Sequence, residues 1–386
     1  MNEYREFCQL FVELWRAGLR DPARTQAQTL ERLLEGYAHT VYGRQFGAAG
    51  LLDLTGDPSR LFEAYRGAFP AVSYDGIKPW IDRVIGGEVE ALLPEPPIAW
   101  AMTRGTSRGV SKRIPITDSD LGIRVAAARG LLNHLLRTNR LDAIDGYCLN
   151  LNYPSVVGTM EVAGQETPYG FSSGIYVRHA AAATPVSILP AQEEIDDLGG
   201  GTTPGAWRRR FEMIYQRTKD APVTMCAGVC PSIIQFGHYV HAYHKTLPSG
   251  LWRMQVIAAT SVPGIQVKYA PALRALYGPI DVVEMYIATE GTFAQQLDDR
   301  RLLMPNFDLY YLEVLVKGGQ VKMLHEMQPG EVGSLIVSTP VLPRYRIGDL
   351  VRAFDPPYFR CIGREGPWTR LGYWLDGVRY LDFGRA

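Results

Sequence analysis

The sequence contains no apolar run near the roughly eighteen residues that a membrane-spanning helix needs. Its first residues, MNEYREFCQLFVELWRAG, are charged and amphipathic, with neither an apolar leader core nor a small-residue cleavage site. The expectation is a cytoplasmic chain with no membrane partner. Charge excess is also missing, since 40 Lys and Arg face 40 Asp and Glu. Nucleic-acid binders carry a basic surplus or stripe, so no nucleic acid is expected as a partner. Cysteine is sparse and odd in number: Cys8, Cys148, Cys226, Cys230 and Cys361 are scattered over 386 residues. A chain of this size builds a core without disulfides, and the thiols are expected reduced. Lysine is scarce, 7 against 33 arginines, a bias of GC-rich and typically bacterial coding.

What is present reads as a globular α/β chain. Residues 1–45 look helical, with Phe7, Phe11, Leu14 and Trp15, then Leu30, Leu33, Leu34 and Tyr37, at helical spacing. PPIAWAMT (96–103) reads as a short strand entering a Gly/Ser/Thr/Arg loop, and Thr117 to Asp120 as the cap of a helix over 121–137. Further strands are expected at 147–152, 254–259, 282–287, 310–316 and 334–338, with helices at 207–219, 231–245 and 268–276. The alternation favours sheets covered on both faces.

Three segments carry chemistry. Thr103 to Lys112, TRGTSRGVSK, combines glycines that admit close backbone approach, hydroxyls, and a lysine. It is not a Walker A loop, because Lys112 does not directly follow the second glycine. Tyr286-Ile287-Ala288-Thr289-Glu290-Gly291 puts a carboxylate at the end of a strand, where α/β sheets bind ligands and where Mg2+ could be held. Arg344-Tyr345-Arg346-Ile347-Gly348-Asp349 puts an Asp after a tight Gly turn, suited to accept two vicinal hydroxyls. Taken singly, each is also explained as an ordinary turn, a solvated Glu, or an Arg–Asp pair.

In this order the segments resemble the phosphate loop, the aromatic-x-x-Thr-Glu segment and the ribose-binding Gly-Asp segment of adenylate-forming enzymes. The likeness is closer to the GH3 family of acyl-acid amido synthetases. It is carried by TSRGVSKRIP, PAVSYDGIKPWIDRVIGGE (70–88), AGVCPSIIQF (227–236), YYLEVL (310–315), RYRIGDLV and HTVYGRQFG (39–47). The resemblance implies an α/β core of two stacked sheets with helices and a small barrel-like portion. It implies a core domain over 1–359 and a hinge remnant with a tail over 360–386, without the family's mobile C-terminal domain.

By the same resemblance Lys112, Thr289 and Glu290 are catalytic, with Thr289 on the α-phosphate and Glu290 ligating Mg2+. Thr103, Gly105, Thr106, Ser107, Arg108 and Gly109 would hold ATP phosphates. Thr260, Ser261, Tyr286, Asp349 and Arg364 would hold the rest of the nucleotide, and Ser173, Gly174, Val229 and Gly291 would border the acid. The implied reaction is Mg2+- and ATP-dependent adenylation of a small, aromatic carboxylic acid in bacterial secondary metabolism, such as phenazine tailoring. An amine, a thiol or a reductase would then take the acyl group. Two other readings stand beside it: a piece of a full amido synthetase, and a non-catalytic nucleotide- or acid-binding subunit. Arg104 and Arg108 depart from the family's small residues in the loop.

Other candidates are set aside. His238, His241 and His244, downstream of Cys226 and Cys230, lack zinc spacing and read as a polar helix face. Gly170-Phe171-Ser172-Ser173-Gly174 is not expected to be a nucleophile elbow, which needs a strand before it and a helix after. Tyr169, Phe171, Tyr176, Phe236 and Tyr239 either line an aromatic pocket or pack in the core.

Overall fold

The computed structural model describes residues 2–103, 111–184 and 186–366. The N-terminal third is helical because its caps and apolar spacing agree. The Asp21 side chain accepts from the Arg24 amide, and Pro22 opens the helix Pro22–Ala38 without needing a donor. Gln26 anchors that helix to the far end of the chain. Its amide nitrogen donates to the Phe307 and Tyr310 carbonyls, both at 2.7 Å, and its oxygen accepts from the Leu312 amide.

Three sheets follow. The largest has seven strands. Ile188–Leu189, Tyr147–Leu149, Val223–Val229, Val256–Thr260 and Asp281–Ala288 run parallel, and Gly291–Gln295 and Met304–Pro305 continue it antiparallel. The helices Pro204–Thr218, Cys230–His244 and Ala270–Tyr277 cover one face, and the helix Arg129–Arg137 covers the other. A four-stranded sheet (Arg113–Ile116, Ala99–Met102, Gln165–Phe171, Gly158–Val162) carries the base of the Thr103 to Lys112 loop between two antiparallel strands. The third sheet is antiparallel, five-stranded and open, from Val321–Met323 to Phe359–Arg364. Residues 360–364 thus lie in the same sheet as Asp349. Among the described residues no helix is long and apolar enough to cross a membrane.

Several local expectations need correction. The helix expected over 121–137 is two helices, Asp118–Ala126 and Arg129–Arg137. The break falls where Arg129 docks on Asp308 and the Gly130 amide donates to the Gln295 side chain, so tertiary contacts override helix propensity. The strand expected over 147–152 stops at Leu149, because the Asn150 side chain captures the Asn152 amide. The hairpin of Gly158–Val162 and Gln165–Phe171 turns on Ala163 and Gly164, both at positive φ. Gly170 to Gly174 does have a strand before it and a helix, Ser172–Ala183, after it. Ser172 is nonetheless no elbow, since its φ is not positive and it simply opens the helix. His244 bonds Glu212, while His238 and His241 face solvent.

Two buried acids test the packing. Glu313, almost without exposure, takes Arg344 and Arg66, each through an Nε at 2.8 Å. Glu313→Gln leaves those cations uncompensated and should cost about 3 kcal/mol in a urea titration; a loss within the surface range, below about 0.5 kcal/mol, would contradict the packing. Glu284, on the strand Asp281–Ala288, is pushed up to about 7 by burial, against the opposing charge of Arg360 and a hydrogen bond from the Gln266 backbone. The folded state therefore holds this proton more tightly than the unfolded chain. Its stabilisation is full below the ordinary carboxylate range and is lost as pH rises through about 7. Glu284→Gln should gain about 2 kcal/mol over the wild type between pH 5 and pH 8. A pH-independent difference would refute the burial argument.

Candidate active site

The parallel strands end together at one edge of the large sheet, and the chain opens a cavity there of about 120 Å³. Val229 and Thr260 close their strands at its wall, and Thr289 follows the end of Asp281–Ala288. Thr260 Oγ1 accepts from the Ile287 amide, tying adjacent strand ends. Ser261 sits at φ +79°, an unusual backbone for a residue with a side chain, and its neighbours hold it on the cavity. Ser173 lines the wall from the helix Ser172–Ala183, with Met102, Phe171, Val177 and Ile287 as apolar surface.

Of the residues expected to border the acid, Ser173 and Val229 line this cavity and Gly174 and Gly291 do not. A Cβ at Gly174 would lie 2.1 Å from the Tyr153 carbonyl oxygen, and one at Gly291 would lie 2.8 Å from the Phe293 ring. Both glycines serve close packing. Of the aromatic candidates, Phe171 and Tyr176 line the cavity; Phe236 is core, and Tyr239 bonds Glu212.

The sequence reading missed Arg124. It lines the cavity while only 4% exposed, with Nε on Asp120 at 2.7 Å and Nη1 donating to the Thr289 carbonyl at 2.9 Å. Its Nη2 has no protein partner. Asp120 and Arg124 stand four apart on the capped helix, a spacing that reads equally well as a solvated ion pair. Asn152 is a further polar lining group that the sequence did not single out.

The charged half of the site adjoins the cavity through Thr289-Glu290. The Thr103 to Lys112 loop is closed at its base, where the Thr103 amide donates to the Lys112 carbonyl and the Lys112 amide to Thr103 Oγ1. Gly105, Thr106, Ser107, Arg108 and Gly109 lie outside the described residues. Lys112 Nζ donates to the Tyr345 hydroxyl at 3.2 Å. Glu290 is 2% exposed; burial raises its carboxyl, with Lys112 and then Arg364 opposing. Gly348 takes φ +83°, the turn expected before Asp349. Asp349 accepts from the Tyr286 hydroxyl at 2.6 Å and pairs with Arg364 Nε at 3.2 Å. Burial raises the Asp349 carboxyl as well, chiefly against Arg364. Tyr286 therefore lies under Asp349, away from the cavity lining.

Among the described residues no three His, Cys, Asp or Glu converge as a metal cage. One buried carboxylate, Glu290, beside a lysine-ended loop suits Mg2+, which is commonly held by one or two carboxylates together with substrate phosphates.

Comparison with known proteins bears on the fold. The GH3 family N-terminal domain model matches residues 15–194. The chain is 30% identical over 112 residues to a jasmonoyl–L-amino acid synthetase, GH3.5, of Oryza sativa subsp. japonica, covering 29% of this chain and 18% of that protein. It is 35% identical over 102 residues to an indole-3-acetic acid-amido synthetase, GH3.15, of Arabidopsis thaliana, covering 26% and 16%. These matches thus span less than a fifth of either relative's length. The structure of AtGH3.15 acyl acid amido synthetase in complex with 2,4-DB superposes with a TM-score of 0.72 at 18% identity, over 94% of this chain and 71% of that one. A 2-hydroxyisobutyryl-CoA ligase superposes at 0.58 and 15% identity, over 88% and 74%. Residues 15–194 match the GH3 family N-terminal domain, and the chain has the same fold as these acyl acid amido synthetase and CoA ligase structures.

Proposed function

We propose that this chain activates a small aromatic carboxylic acid by Mg2+- and ATP-dependent adenylation, giving an acyl-adenylate and pyrophosphate. The observation that carries the reading is one junction, Thr289-Glu290, where an apolar cavity holding Arg124 meets the Lys112, Glu290 and Asp349 cluster. The cavity is close in size to one known to hold benzene, about 150 Å³, which supports a one-ring acid. Relatives named as indole-3-acetic acid-amido synthetases support an aromatic acid and an amine acceptor. A thiol or a reductase partner would serve the second step by other chemistry. The arginine-over-lysine bias supports a bacterial source, and we place the reaction in cytoplasmic secondary metabolism.

In this reading Arg124 balances the charge of the acid entering an apolar cavity. A carboxylate oxygen attacks the α-phosphorus; a P–O bond forms as the bond to pyrophosphate breaks, and the departing pyrophosphate takes the electron pair. Lys112 brings positive charge to where that charge develops. Thr289 offers its hydroxyl to the α-phosphate, and Asp349 accepts from the ribose hydroxyls. Glu290 would hold Mg2+, which when bound neutralises phosphate charge.

ATP–pyrophosphate exchange against a panel of aromatic and aliphatic acids tests the reading. Exchange should depend on one class of one-ring acid, fall at least about a hundredfold in Glu290→Ala, and require about tenfold more ATP in Asp349→Ala. Undiminished exchange in Glu290→Ala would overturn the metal assignment, and unchanged ATP dependence in Asp349→Ala the ribose assignment. Measurable ATP binding without exchange for any acid would overturn adenylation by this chain alone.

A further inference from the structure

Tyr345 stands between the two opposite charges of the site. Its side chain is buried; its hydroxyl accepts from Lys112 Nζ at 3.2 Å, and the charge of Glu290 acts on it. An ammonium only donates, and a carboxylate only accepts. The phenol, with one proton and two lone pairs, therefore receives from Lys112 and keeps its own proton free to give toward an acceptor such as Glu290.

The same ammonium lies 5.3 Å from the Tyr74 ring centre, while Tyr345 meets it through its hydroxyl, with the ring centre 5.8 Å away. These rings come from segments far apart in sequence, and the backbone brings them together. The Val72 amide donates to the Arg344 carbonyl at 3.1 Å, and the Arg346 amide to the Val72 carbonyl at 2.7 Å. The Tyr74 hydroxyl accepts from the Arg113 amide, the residue beside Lys112. Three chain segments are thus tied to one another beside the side chains that meet. A lysine has a long flexible stem with much rotamer freedom, so its place needs outside support.

We propose that the Tyr345 hydroxyl and the Tyr74 ring form a cradle that fixes the Lys112 ammonium on the Glu290 side of the site, with Tyr345 as the positioning residue for the phosphate end. The proposal deepens the adenylation reading and rests on it for the purpose of the cradle, but its first test needs no nucleotide. Lysines of the ligand-free protein are acylated with a water-soluble N-hydroxysuccinimide ester, and each rate is read by mass spectrometry. Lys112 should react slowly in the wild type. In Tyr345→Phe its rate should rise about fivefold, the scale of one lost hydrogen bond, while exposed Lys317 keeps its rate. Tyr74→Leu, at a half-buried position, carries the same test should Tyr345→Phe fail to fold.

The second measurement is the ATP dissociation constant by calorimetry. It should rise about fivefold in Tyr345→Phe, and the effect should vanish when Lys112→Met is already present. Unchanged Lys112 reactivity in the folded variants overturns the cradle. So does an ATP affinity that Lys112→Met weakens but neither tyrosine variant touches. Raised Lys112 reactivity in the tyrosine variants, together with a wild-type protein that binds no ATP, would support the cradle and overturn the adenylation reading instead.

Discussion

Glu290 and Asp349 are carboxylates held almost out of water, and each is answered by a cation brought from another element. A buried carboxylate without such an answer is driven to take a proton. This constraint organises the charged half of the molecule. Arg364 reaches Asp349 because Phe359–Arg364 is the neighbouring strand in the antiparallel sheet, with the two residues in register. Lys112 reaches toward Glu290 because its loop closes on itself at Thr103 and its ammonium rests on two tyrosines. The cavity of the parallel sheet then abuts the cluster through one peptide segment, Thr289-Glu290.

The same logic explains the buried pair behind the cavity. Asp120 and Arg124 compensate one another, and Arg124 reaches the Thr289 carbonyl. The strand end that separates the cavity from Glu290 is thereby held from the helix side as well. Contacts thus run from Asp120 through Arg124 to the strand end at Thr289, next to Glu290.

The architecture was legible where pattern and turn chemistry agreed. Thr117 caps its helix as expected, Asp349 follows a left-handed Gly348, and the strand at 281–288 closely matches the apolar run 282–287. The adenylate-forming likeness was legible in motif order. Other features depended on partners far away in sequence. The split at Ala127-Ala128 arises from Asp308 and Gln295, more than a hundred residues downstream. Arg124 shows at its own position only an i,i+4 acid–base pair, with nothing to say that both groups are buried. Gly174 and Gly291 sit within site-like motifs, yet their missing side chains make room for backbone and rings. Tyr345 lies in plain view inside the RYRIGD segment, but its hydroxyl acquires meaning only when Lys112 and Glu290 are placed beside it.

The most direct test of the central claim is a crystal structure with a non-reactive acyl-adenylate analogue, a benzoyl-sulfamoyl adenosine. The ring should lie in the cavity beside Arg124 and Ser173, the sulfamoyl group at Thr289, and both ribose hydroxyls on Asp349. An analogue bound elsewhere, or one whose ribose turns away from Asp349, would contradict the claim.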